Sequence, residues 1–259
     1  MTRTDGMPSR ALRCLFLSSV LGIPAVAEPT PEKLDRILSD LKYGDVNLRL
    51  AAASSLYRYS ITGDLGGRDI SKELLLAMAD PTLAVRRAAA EGLAYAGGND
   101  SNVSAIARLL RSNPSESFRH AATFFLGEKK CISSTILLLD LMDDPSPDVK
   151  QGAAVSIGRL AILPNRAIPK LMELLREEYG PIREAALIGL YGFGHRAASV
   201  ADDLAAGLLE GRLSAFGIRT FVEICSDQDY RRDVLTEIEA DGPPALRSAA
   251  KDALVASNP

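Results

Sequence analysis

The 259-residue chain has no tryptophan, two histidines and three cysteines, and only 5% of it is aromatic. So few flat rings leave little to stack on nucleic-acid bases. His120 and His195 stand 75 positions apart, so no histidine pair is spaced to ligate a metal or share a proton. Charge of one sign is also missing. Thirty Lys and Arg against 33 Asp and Glu leave a net charge of -3, which offers no positive field to a phosphate backbone or an anionic membrane. The chain holds no H-x-x-x-H, C-x-x-C, G-x-S-x-G or G-x-x-x-x-G-K motif. Gly192 to Ala197 matches the letters of a dinucleotide fingerprint, but it ends a helical stretch and no strand precedes it. Asp227, Asp229 and Asp233 suggest a calcium loop, yet Arg231 and Arg232 occupy positions that need an oxygen ligand and a glycine. No catalytic residue, metal or cofactor is therefore expected, and the chain reads as a non-enzyme.

What is present begins at the N-terminus. Arg3, Arg10 and Arg13 precede an apolar run from Cys14 to Ile23, followed by Pro24 and Ala25-Val26-Ala27. A ten-residue run is too short to span the ~30 Å hydrocarbon core, and the small residues Ala25 and Ala27 suit a signal peptidase. Residues 1–27 are expected to be a signal peptide, with the mature chain exported to a bacterial periplasm or secreted. Cleavage leaves 27 basic and 32 acidic groups, a mildly acidic protein.

The mature chain repeats itself. An apolar anchor, usually followed by a basic residue, precedes a small residue at offset 4 and a large apolar one at offset 8. Seven copies start at Leu48, Val85, Phe118, Val149, Ile182, Leu213 and Leu246, spaced by 37, 33, 31, 33, 31 and 33 residues. An extra glycine-rich loop at residues 63–67 accounts for the long first interval. Offsets 0, 4 and 8 share one helix face, and the small residue lets a neighbouring helix come close. A second helical stretch precedes each copy, for example Ile70-Leu74-Leu75-Met78 and Ile168-Leu171-Leu174-Leu175. Two helices per repeat cannot bury both apolar faces alone, whereas stacked pairs share a continuous core. The turns carry Asp80-Pro81, Asn113-Pro114, Asp144-Pro145 and Gly180-Pro181, which suit a helix start.

The string from Asp80 to Leu93, repeated from Asp144 to Ile157, resembles the second-helix signature of HEAT repeats, and the resemblance extends over residues 31–257. The period is similar to the short bacterial type found in phycobilin lyase subunits. Copy six departs most, with Ser214 for the basic residue and Gly217 for the alanine. The resemblance implies an all-α, right-handed α-solenoid of about seven antiparallel helix pairs over residues 28–259. Deoxyhypusine hydroxylases of similar architecture need His-Glu dipeptides, which are absent, and HEAT-like DNA glycosylases need basic and tryptophan-bearing surfaces, which are absent too. With repeats ~10 Å apart, Cys131 and Cys225 lie too far apart for a disulfide, so two free, mostly buried thiols are expected.

Two surface features remain. The basic row Arg49, Arg86, Arg119, Lys150, Arg183 and Arg247 could hold anions, but acidic or amide residues five positions before the anchors favour structural pairing within and between repeats. On the opposite face, offsets 2, 5, 6 and 9 are expected to line the concave side. Copies three to six there present His120, Phe124, Val155, Leu187, Ile188, Tyr191 and Ile218, an apolar stripe suited to a peptide or protein partner; packing between neighbouring helices is the competing reading. The expected function is a non-catalytic scaffold that binds a protein or peptide, with an accessory subunit of a chromophore-attachment or other enzyme assembly as the alternative. Leu254 and Val255 suggest a C-terminal edge through which two copies could pair. Nucleic acid is not an expected partner, and neither is a membrane span in the mature chain.

Overall fold

The computed structural model describes residues 29–62, 65, 68–96, 101–112 and 115–257. The expected signal peptide, most of the glycine-rich loop at 63–67 and the Asn113-Pro114 turn lie outside them. Among the described residues every regular element is a helix, with no strand. The chain divides into two compact units, Met1–Phe125 and Leu126–Pro259, each described by itself.

In the first unit, helices α1 (Pro31–Tyr43) and α2 (Val46–Thr62) form one antiparallel pair, and α3 (Ser71–Ala77) and α4 (Leu83–Ala96) the next. Then come α5 (Ser101–Arg111) and α6 (Glu116–Glu128), whose last three residues belong to the second unit. Thr30 caps α1 by accepting from the Lys33 amide at 3.3 Å, with Pro31 at the first helical position where a missing N–H costs nothing. Asp45 does the same for α2, accepting from the Asn47 and Leu48 amides at 2.9 and 3.0 Å. Asp80 forms an Asx turn to the Thr82 amide at 2.8 Å ahead of α4.

The second unit continues with α7 (Ile132–Leu141), α8 (Pro147–Leu160), α9 (Pro164–Leu174) and α10 (Gly180–Phe193). A 3-10 segment (Gly194–Val200) leads to α11 (Ala201–Leu209), α12 (Ala215–Ile224), α13 (Gln228–Asp241) and α14 (Pro244–Ser257). Asp144 turns back on the Ser146 amide at 2.9 Å, and Ser146 rather than Asp144 is the N-cap of α8. Two motifs weighed in the sequence resolve into helix ends. Gly194, at φ +52°, closes α10, and Asp227 caps α13 by accepting from the Asp229 and Tyr230 amides, both at 3.0 Å.

The repeat pattern is the core. Six of the seven anchors are buried, the exception being Leu48, which is 46% exposed. The small residues Ala52, Ala89, Ala122, Ala153, Ala186, Gly217 and Ala250 are all buried, as are the offset-8 residues Leu56, Leu93, Leu126, Ile157, Leu190 and Phe221. Only Leu254 of that column is half-buried. Fully burying a Leu, Ile or Phe side chain contributes roughly 1.5–3 kcal/mol, so this column supplies much of the driving force in each unit.

Second helices lie side by side within each unit, α2 against α4 and α8 against α10, then α10 against α12 and α12 against α14. Their register is constant: offset 7 of one copy meets offsets 5 and 9 of the copy before it. A methyl group on Gly92 would rest 3.4 Å from Tyr57 Cα, an ordinary contact. On Gly127 it would come within 2.7 Å of Ser156 Oγ. On Gly158 it would stand 2.6 Å from the Gly189 carbonyl oxygen and 2.7 Å from its Cα, so α8 and α10 touch backbone to backbone.

Cys131 is the N-cap of α7 and Cys225 the C-cap of α12, and both are free. Cys225 is buried as expected, and burial raises its thiol pKa. Cys131 is only half-buried, because a capping position keeps its sulfur at a helix end, 3.4 Å from the Ser134 amide. Between α8 and α9 two non-glycine residues take left-handed conformations, Ala161 at φ 49° and Leu163 at φ 55°. Arg196 holds this turn by donating through Nη1 to the Ala161 carbonyl at 2.7 Å.

Two substitutions test this packing, each read by urea denaturation of the full chain. Gly158→Ala is expected to lower stability by about 1–3 kcal/mol through overpacking against α10. Ala161→Gly is expected to raise it by about 0.5–1 kcal/mol, since relief of the left-handed strain outweighs the added freedom of the unfolded chain.

Candidate functional site

The basic row at offset 1 is structural. Arg49 Nε meets Asp80 Oδ2 at 2.7 Å and Lys150 Nζ meets Glu177 Oε1 at 2.7 Å, each joining one repeat to the turn of the next. The arginines also cap their own turns. Arg49 donates to the Gly44 carbonyl at 3.0 Å, and Arg86 to the Asp80 and Pro81 carbonyls at 3.0 and 2.9 Å. Arg183 donates to Glu177 and Glu178 at 2.9 and 2.6 Å, and Arg247 to Gly242 at 2.8 Å. These guanidinium groups already serve turn carbonyls five or six residues back, so the row is not an open anion ladder. Copy six keeps a link by other means: Ser214 Oγ donates to Glu184 Oε2 of copy five at 2.7 Å.

The expected binding face sorts itself by offset. Offset 5 is buried from copy one to copy six, with Leu187 and Ile218 only 1% and 2% exposed. Both were expected as partner anchors; the structure uses them instead as packing, because offset 5 faces the following second helix. Thr220 reports that contact, its Oγ1 lying 3.5 Å from the Leu187 carbonyl that accepts from it. Offsets 2 and 6 remain toward solvent, whereas offset 9 is buried as Ala94, Gly127 and Gly158 in copies two to four and turns outward as Tyr191 and Val222 in copies five and six. In the second unit Ile188 is 38% exposed, and Val155, Tyr191 and Val222 are half-buried.

Tyr191 is the centre of this strip. Its ring lies 5.9 Å from that of Phe216 on the next second helix, and the Arg219 guanidinium sits 5.5 Å from its centroid. Phe216, at offset 3 of copy six, was not among the expected residues. Its signal was available: the other copies carry Ala or Gly at that offset, so an aromatic there overfills a close-packing position and must lean outward. Glu184 and Gln151 border the strip, both half-buried.

The first unit carries its own polar counterpart. Phe124 is half-buried with the His120 ring at 5.0 Å and the Arg87 guanidinium at 5.4 Å, while Arg87 pairs with Glu91 at 2.8 Å. His120 and Phe124 therefore belong to a charged aromatic cluster, while Val155, Ile188 and Tyr191 form an apolar one. At the C-terminal pair Val255 is 68% exposed, but Lys251 and Asp252 beside it are exposed as well. Among the described residues no three of His, Cys, Asp and Glu gather in a metal-holding group, and no helix is long and apolar enough to cross a membrane.

Residues 103–191 match the family model for HEAT repeats. No curated protein matches the chain. Among solved structures, a chain from the complex of CpcE and CpcF of phycocyanin lyase from Nostoc is 19% identical over 90% of this chain and 98% of that one, with a TM-score of 0.40.

The assignment of the basic row to structure makes a distinction that denaturation can measure. Lys150→Ala and Glu177→Ala in a double-mutant cycle are expected to couple by no more than about 1 kcal/mol, the usual range for a half-exposed pair. Arg183→Ala, which strips two turn carbonyls of a charged donor, is expected to cost more than Lys150→Ala.

Proposed function

We propose that this HEAT-repeat chain is an exported, non-catalytic scaffold that binds a protein or peptide on the solvent side of its second helices, with the apolar strip of the second unit as the principal contact. The observation that carries the reading is the strip itself. Val155 and Ile188 share offset 6 and Tyr191 and Val222 share offset 9 on successive stacked helices, Phe216 packs beside Tyr191, and the Arg219 guanidinium lies over the Tyr191 ring. Such a surface suits a helix or extended segment that buries side chains at regular intervals. Tyr191 and Arg219 add the residue types that most often dominate binding energy. His120 and Phe124 provide a separate contact of mixed character on the first unit. Export rests on Arg3, Arg10 and Arg13, the short apolar run and the Ala25-Val26-Ala27 site. The match to HEAT repeats supports a protein-interaction role by fold analogy.

The test is a cross-linked pull-down from the exported fraction of the native host, comparing the native chain with an Ile188→Asp/Tyr191→Asp double variant. One protein enriched by the native chain and reduced at least tenfold by the variant is expected, with both melting cooperatively at similar temperatures. Full retention by the variant would sink the strip as the binding site. A visible absorbance band in protein purified from the host would replace the scaffold with a chromophore-holding accessory subunit.

A further inference from the structure

In the first unit, opposite charges line one cavity without meeting. The first helices of copies one and two, α1 and α3, lie against each other. A cavity of about 210 Å³ is walled by Leu38, Leu41, Leu76 and Ala77 of these helices, and four charged side chains also line it. Two of them, Arg49 and Asp80, are already paired at 2.7 Å. The other two, Lys42 and Glu73, make no ion pair among the described residues. Lys42 rests its ammonium 4.9 Å from the Tyr43 ring centroid, and Glu73 is half-buried.

The joint between copies four and five shows these positions in a closed form. Asp143 stands six residues before its anchor, as Lys42 does, and Lys170 stands twelve before its anchor, as Glu73 does. The two signs are exchanged, and the pair is made: Lys170 Nζ lies 2.5 Å from Asp143 Oδ1. Leu174, eight residues before its anchor, is buried, and the equivalent residue of copy two is Ala77. Copies one and two therefore keep opposed charges but leave the link unmade, and a short alanine leaves room where leucine stands in copy five.

The lining defines what fits. Lys42 and Arg49 balance Glu73 and Asp80, so the cavity is neutral as a whole but divided in sign. A ligand of one sign matches only half of it, and a purely apolar ligand desolvates Lys42 and Glu73 without compensation. A zwitterion satisfies both. Leu76, 66% exposed, offers apolar surface for a side chain to cover. The volume is below the roughly 300 Å³ at which pockets for drug-sized ligands begin, which limits the ligand to about one amino acid.

We infer that the cavity between α1 and α3 binds a free α-amino acid with an aliphatic side chain, its carboxylate on Lys42, its ammonium on Glu73 and its side chain against Leu38 and Leu76. The bound zwitterion completes through itself the link that Asp143 and Lys170 make directly. The site shares no residue with the apolar strip and does not depend on any partner there.

The test is equilibrium dialysis of the whole chain against radiolabelled L-leucine, with blocked analogues as competitors. Saturable one-to-one binding with a dissociation constant below about 1 mM is expected. Leucinamide, which lacks the carboxylate, and N-acetyl-leucine, which lacks the ammonium, are each expected to compete at least tenfold more weakly than leucine. Ala77→Leu gives copy two the side chain that copy five carries, and is expected to weaken leucine binding at least tenfold while the melting temperature stays the same or rises. Glu73→Gln is expected to remove the preference for leucine over N-acetyl-leucine, and Lys42→Met the preference over leucinamide; a general loss of stability produces neither change in selectivity. No saturable binding up to about 10 mM leucine, equal competition by leucine and its blocked forms, or undiminished binding by Ala77→Leu would overturn the proposal.

Discussion

Close approach of neighbouring second helices is the constraint on which everything else in each unit depends. A helix pair of ~30 residues has two apolar faces and cannot bury both within itself. Burial is completed only if the next pair comes near enough to exclude water, and the distance is set by the side chains at the contact. Offset 4 is Gly217 in copy six and Ala in the other six copies, and offset 7 is Gly or Ser in four copies. Larger residues on this seam would separate the helices and leave Leu56, Ile157 or Phe221 partly wet. The small residues stabilise little by themselves; they allow the large ones beside them to become fully buried.

The second requirement is that turns between paired helices hold their shape while the helices stack. Four arginines solve it with one device, reaching back from the first turn of a second helix to carbonyl groups left without intrahelical partners. Where acid follows in the next turn, as at Asp80, the same cation also joins neighbouring copies, and Lys150 makes the corresponding link to Glu177. Fixing these turns orients offsets 2 and 6 toward solvent and thereby positions Ile188, with Tyr191 one turn further along the same helix.

The helical architecture, the repeat boundaries and the structural use of the basic row were legible because each depends on offsets within a copy. Register between copies is different. Whether Leu187 faces a partner or the next helix depends on how far one helix is rotated against another, and a single helix does not encode that angle. Val155, Ile188 and Tyr191 keep exposed surface, while Leu187 and Ile218, one offset away from solvent-facing positions, are buried between helices. Phe216 was overlooked because offset 3 is otherwise small and belongs to the seam. The exposure of Leu48 was equally hidden, since the pattern of copy one is as regular as any other.

The joint between α8 and α10 has a mechanical consequence. Gly158 and Gly189 meet through their backbones, with no side chain between them to change rotamer or slide. A contact of that kind freezes no side-chain entropy when it forms and has no soft degree of freedom when it is pulled. Joints built from longer side chains, such as Tyr191 on Phe216, can tilt by repacking. Within the second unit, elastic compliance is therefore distributed unevenly: the stretch at copies four and five behaves as a stiff coil of a spring, and bending concentrates in the coils that follow it.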